Sequence, residues 1–100
     1  MSLATTHQDG VVTIRLREAL TQGTRHELLR TLQEETGPLA GIRLDAADLR
    51  DLDTAGLGML ACVVRFSRGA TGHPPVLMNV SGRVHDELST ACLLSLFDLC

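Results

Sequence analysis

Short alternating apolar runs, each separated from the next by one helical stretch, limit the folds open to this chain more than any other feature. Asp9-Gly10 is a tight-turn signal, and behind it Val11 to Leu16 alternates with Val12, Ile14 and Leu16 on one face. Leu3 to His7 stands where the hairpin partner of that strand would run. Ile42, Leu44 and Ala46 alternate again, and Val76 to Val80 reads as a third strand. Between these runs, Thr24-Arg25-His26-Glu27 has the form of a capping box, opening a helix with Leu28, Leu29 and Leu32 on one face and Gly37-Pro38 at its end. Thr54 to Arg68 is too long for a strand and reads as a second helix, followed by the breaker-rich loop Gly69 to Pro75. Ser81 is placed to cap a third helix carrying Val84, Leu88 and Ala91. Leu93 to Leu99 is apolar and fits either state. Strands separated by single helices imply right-handed crossovers and a mainly parallel sheet. The expectation is one small α/β domain spanning the chain, with a mostly parallel sheet of about four strands, one antiparallel hairpin, and about three to four helices packed on it.

Composition removes several functions. The net charge is −3 and the nine cationic side chains are all Arg, scattered from Arg15 to Arg83, so no basic stripe tracks a phosphate backbone. Phe66 and Phe97 are the only aromatic residues, which leaves no stacking platform for single-stranded nucleic acid. Direct nucleic-acid binding is therefore excluded as a primary function. Without Lys there is no Schiff base, P-loop lysine or amine base. Cys62, Cys92 and Cys100 form no close pair, which fits a reducing compartment better than a disulfide framework. The longest stretch without a polar side chain, Ala55 to Val64, has ten residues and is too short to insert in a membrane. Met1 to Gly10 lacks the features of a signal peptide, so the expected location is the cytoplasm.

The sharpest local feature is Asp53-Thr54-Ala55-Gly56-Leu57, which follows a strand and opens a helix, where α/β domains place their working residues. Backbone N–H groups there are unpaired and the helix dipole favours negative charge. A hydroxyl at that point is well placed to become a phosphate ester, which adds a charge of about −1.5 to −2. Gly56 and Gly58 in the first turn each cost roughly 1 kcal/mol of helix propensity relative to Ala, which makes sense if another backbone approaches closely. The competing reading makes Asp53 or Thr54 a plain N-cap and the glycines a means of tight packing on the sheet.

Leu44-Asp45, Leu49 and Leu52-Asp53-Thr54-Ala55-Gly56-Leu57-Gly58-Met59-Leu60 together resemble the signature of the STAS domain family, the anti-sigma-factor antagonists. The likeness extends to Gly10-Val11-Val12 through Leu16, the helix up to Thr36, Val76-Leu77-Met78-Asn79 and the closing Leu96-Phe97. The resemblance implies that Thr54 is a phosphorylation site. It also implies partner switching: the unphosphorylated chain docks on an anti-sigma factor that is itself a serine/threonine kinase of histidine-kinase-like ATPase fold. Phosphorylation releases the complex and a phosphatase resets it. On this reading the chain is a substrate and competitor and not an enzyme, and it needs no cofactor. Asp53 would position the hydroxyl, while Thr54, Ala55, Gly56, Gly58, Met59 and Val63 would meet the partner. Two departures stand out. Glu18-Ala19-Leu20-Thr21 replaces the family's Gly-x-Leu/Ile-Asp, and Cys92-Leu93-Leu94 replaces a Gly-Leu turn.

On a helical wheel Leu57, Leu60, Ala61 and Val64 form one face of the second helix, and Met59, Cys62, Val63 and Phe66 roughly the opposite one. A helix on a sheet buries one of these, so the other would meet a neighbouring helix, a partner or, weakly, a second copy in a homodimer. Val63 and the Glu18–Thr21 departure also fit an alternative, a non-enzymatic STAS subunit of a phospholipid-type ABC transport complex. Rival chemistries lack their parts. Asp51-Leu52-Asp53-Thr54 resembles a phosphatase nucleophile pair but has no Lys to complete it. The spacing of Asp45, Asp48, Asp51 and Asp53 matches no EF-hand loop, and His7, His26, His73, His85 and the cysteines show no zinc-ligand spacing.

Overall fold

A β-hairpin opens the fold in the computed structural model, which describes residues 3–35 and 38–100. β1 (Thr5–Gln8) turns through Asp9 and Gly10 into β2 (Val11–Arg15), and the two pair antiparallel. Both turn residues have positive φ, 53° and 81°, as a two-residue hairpin requires. There follow β3 (Ala19–Leu20), α1 (Arg25–Glu34), β4 (Gly41–Asp45), β5 (Asp51–Leu52), α2 (Thr54–Thr71), β6 (Val76–Met78) and α3 (Gly82–Thr90). A 3₁₀ turn (Leu94–Leu96) and β7 (Asp98–Leu99) complete the chain. The main sheet has five strands in the order β1-β2-β4-β6-β7, parallel except for the first pair, and β3 and β5 form a separate parallel pair.

The alternation in the strands decides where the core lies. Ile14, Leu44 and Leu77 stand in one row across the central strands, with Val12 and Ile42 in the next. These side chains point to the face covered by the helices, which supply Leu28 and Leu32, then Met59, Leu60, Val63 and Val64, then Val84 and Leu88. Each such aliphatic side chain, fully buried, stabilises the fold by about 1.5–3 kcal/mol. The alternate positions Val11, Thr13, Gly41, Arg43, Val76 and Met78 lie on the other face and are only half-buried.

Several expectations need correction. The sheet gains β7 as an edge strand, formed from the tail that had no clear periodicity. α2 runs past Arg68 to Thr71 because the stop is Gly72, in the left-handed region at φ 77°, whose N–H reaches the Arg68 carbonyl at 3.0 Å. β6 ends at Met78 because Asn79 turns out of the strand at φ 59°. Ser81 caps α3 as expected, accepting from Val84 N at 3.3 Å, but Ala91 is the exposed C-cap residue. The capping box at Thr24 does not form. Thr24 Oγ1 turns back to accept from Thr21 N and donate to Ala19 O, and Glu27 pairs with Arg17 at 3.2 Å. Leu29 is 46% exposed, and Thr31 takes its place beside Leu28 and Leu32. Thr36 and Gly37, expected at the end of α1, lie outside the described residues.

Candidate functional site

The start of α2 is built by one carboxylate and one missing methyl group. Asp53 is the N-cap residue, with extended backbone, and its Oδ1 accepts from Gly56 N at 2.8 Å. Its Oδ2 accepts from Gln22 N at 3.1 Å, tying the helix to the loop after β3. These N–H groups, Gly56 first and then Gln22, hold the Asp53 carboxyl below the usual carboxylate range. Asp53 therefore serves the backbone, and the role of positioning the Thr54 hydroxyl is not the one its hydrogen bonds show. One of the donors expected to receive a phosphate, the Gly56 N–H, is already engaged by this carboxylate.

Gly56 is buried, and a Cβ there would overlap the carbonyl oxygen of Leu20 and lie 2.9 Å from Leu52 Cδ1. Its glycine is spent on packing α2 against β3, inside the protein, and not on a partner's approach. Gly58 is exposed, with nothing within 4 Å of the position a Cβ would take. Thr54 is exposed as the first residue of α2, and its hydroxyl makes no hydrogen bond among the described residues. Ala55 is half-buried beside it.

The close contact at Gly56 sets the rotation of α2. Its buried line is Gly56, Met59, Leu60, Val63, Val64 and Ser67, which straddles the two faces drawn on the helical wheel. Met59 is 6% exposed and Val63 fully buried, so the expectation that their side chains meet a partner is corrected: both belong to the core. Thr54, Gly58, Cys62 and Arg65 form the outward line. Both apolar sets contribute to one buried stripe, and Leu57, Ala61 and Phe66 are half-buried at its margins.

Across from Thr54 lies a wall that the linear sequence did not mark. Asp86, Glu87 and Thr90 of α3, with its C-cap residue Ala91, face Leu52, Asp53, Thr54 and Leu57 over a shallow groove of about 480 Å³. The four acidic residues of the 45–53 segment do not converge. Asp45 accepts from Asn79 Nδ2 and Ala47 N, each at 3.0 Å, Asp48 pairs with Arg15 at 2.9 Å, and Asp53 caps α2. His7 meets Glu35 at 2.9 Å and His85 lies 3.8 Å from Asp86. Among the described residues no group of three His, Cys, Asp or Glu side chains could hold a metal ion.

These features define a small α/β domain that displays an unpartnered hydroxyl at the start of a surface helix beside an acidic groove. The chain belongs to the STAS domain family, whose family model matches residues 2–100. The structure of the protein TM1081, determined by NMR, is similar at a TM-score of 0.84 and 18% identity, covering 100% of this chain and 81% of that one. RsbS of Moorella thermoacetica, solved as a serine-to-glutamate variant, is similar at a TM-score of 0.72 and 22% identity, covering 98% of this chain and 85% of the other. At these identities the likeness establishes the fold. A search of the curated proteins found no match. Among the described residues no helix is long and apolar enough to cross a membrane.

Proposed function

We propose that this chain is a non-enzymatic anti-sigma-factor antagonist that works by partner switching, with Thr54 as its phosphorylation site. The observation that carries this reading is the exposed, unpartnered Thr54 hydroxyl directly after the Asp53 cap. In the unphosphorylated state the outward line of Thr54, Gly58 and Cys62 is small and uncharged, so a partner's backbone can come close to α2. The partner is an anti-sigma factor kinase of histidine-kinase-like ATPase fold. It transfers the γ-phosphoryl group of ATP to the Thr54 oxygen, whose proton is lost, and ADP leaves.

Asp53 explains why that ester would break the complex. Its carboxylate already accepts from Gly56 and Gln22, so the new charge of about −1.5 to −2 meets a like charge next to it. Asp86 adds a carboxylate across the groove, where Glu87 is paired with Arg83 at 3.4 Å. Hydrolysis of the ester by a phosphatase restores the neutral surface. The likeness to the serine-to-glutamate form of RsbS fits the same logic, since that replacement also puts negative charge in place of a hydroxyl. The transport-subunit alternative draws on Val63, which is buried, and on the Glu18–Thr21 segment, whose backbone is tied into the fold. The Glu18 carbonyl accepts from Arg50 N and Asp51 N at 2.7 and 2.9 Å, and Leu20 abuts Gly56.

The test is capture of partners from a lysate of the native host by wild type, Thr54→Ala and Thr54→Glu, identified by mass. The captured kinase is then supplied with Mg-ATP and the phosphopeptide is mapped. Wild type and Thr54→Ala should retain the kinase, Thr54→Glu should lose it, and phosphate should appear on Thr54 alone. Phosphate elsewhere, with Thr54 unmodified, would refute the assignment. An ABC ATPase held equally by wild type and Thr54→Glu would move the chain to the transport reading.

A further inference from the structure

We propose that the helix-free face of the main sheet binds a small organic oxyanion, a carboxylate or phosphate monoester, seated on Arg43. This proposal does not rest on phosphorylation of Thr54. The strand register places Thr6, Thr13, Arg43, Val76 and Asp98 side by side in a single row across all five strands. Arg43 occupies the middle of that row. Of the chain's nine arginines, all among the described residues, eight are exposed and Arg43 alone is half-buried. Arg15, Arg17 and Arg83 pair with carboxylates, whereas Arg43 takes no ion pair or hydrogen bond among the described residues. A guanidinium carries five donors in a fixed fork, and that of Arg43 meets no acceptor among the described residues, so its donors are open to one supplied by a ligand.

The surroundings have the shape of a site. The row forms the floor of a hollow of about 550 Å³, within the roughly 300–1,000 Å³ usual for small-ligand clefts. Gln8 and Asp9 of the hairpin wall one side, and His73 and Pro74 of the loop after α2 wall the other. Strands β2, β4, β6 and β7 run parallel, and parallel sheets are normally covered on both faces, so a bare face is the exception that needs an occupant. The Thr6 and Thr13 hydroxyls lie on the same side of Arg43 and can donate to the oxyanion it holds. Val11, Val76 and Pro74 offer contact to a compact apolar body. Asp98 lies at the far edge of the row and Asp9 at the hairpin, which limits the anion to the Arg43 half of the floor. The hollow opens at the amino ends of β2, β4 and β6, whereas Thr54 follows the carboxyl end of β5, so the two sites are separate.

Amide chemical shifts of the full chain would be followed by NMR on titration with benzoate, phenyl phosphate and inorganic phosphate. The proposal expects saturable shifts at Thr6, Thr13, Arg43 and Val76 with benzoate or phenyl phosphate, and weaker binding of inorganic phosphate, which lacks the apolar body. The tighter of the two organic probes identifies the anion class. Arg43→Gln should weaken that probe at least about tenfold, and Arg43→Lys, which keeps the charge but not the fork, should bind with intermediate affinity. Thr54→Ala should bind as wild type does. The idea is overturned by absence of saturable shifts with either organic probe, by shifts centred on Thr54 to Gly56, or by equal affinity in Arg43→Gln. Concentration-dependent dimerisation that buries the Arg43 row would also overturn it, since a second copy would then cover the face.

Discussion

Gly56 and Gly58 share the first turns of α2 and serve different surfaces, and a methyl group added at each separates them. At Gly56 it would enter the space of the Leu20 carbonyl, so Gly56→Ala should destabilise the fold by about 1–3 kcal/mol despite the better helix propensity of Ala. At Gly58 there is open space, so Gly58→Ala should stabilise by up to about 1 kcal/mol. Thermal unfolding reads both directly, since 1 kcal/mol moves the midpoint of a domain this size by roughly 4–8 °C. If Gly58 also admits a partner's backbone, as the partner-switching reading requires, the more stable Gly58→Ala protein should capture less kinase. Stability and binding moving in opposite directions would mark the glycine as a surface kept clear for contact. The motif around Thr54 was legible because every residue in it is a local neighbour of the others. The division of labour between its two glycines was not, because Leu20 is distant in sequence and only folding brings its carbonyl to Gly56.

α2 carries apolar side chains on nearly all sides of its first turns, so its periodicity leaves its rotation undetermined. The stripe from Gly56 to Ser67 is the inner one, with Gly56 in close contact with β3. Leu60→Ala, at a fully buried site, should cost about 2–5 kcal/mol in a urea denaturation series. Cys62→Ser, two residues on and exposed, should stay within about 0.5 kcal/mol of wild type. A large loss at Cys62 with little at Leu60 would mean that the helix sits rotated from the orientation described. β2, β4 and α3 were readable for a related reason: each repeats one pattern long enough to be distinguished from loop. β3, β5 and β7 were not, since two residues carry no period.

Two carboxylates tie the carboxyl ends of the strands and the start of α2 into one structure, and they make the whole molecule sensitive to acid. Asp45 is held below the usual carboxylate range by Asn79 first and then by the Ala47 N–H, and Asp53 by Gly56 first and then Gln22. A folded-state pKa below the unfolded one means that the stabilisation is fully present above the unfolded value, about 3.9, and is lost as pH falls through the folded value. Denaturant midpoints should therefore decline as pH drops below about 4. The double variant Asp45→Asn, Asp53→Asn should show a shallower decline than wild type. An equally steep fall in that variant would assign acid sensitivity to other carboxylates.

The sequence alone determined the α/β class, the opening hairpin, the three helices and the position of Thr54 at the start of α2. Those properties depend on contiguous signals: alternation, a turn dipeptide, helical spacing and a capping side chain. The tertiary structure alone decided that Met59 and Val63 lie inside, that α3 walls the groove beside Thr54, and that Arg43 stands half-buried in a row with Thr13 and Val76. Each of these depends on the register between strands and the rotation of a helix, which arise from packing between residues far apart in the chain.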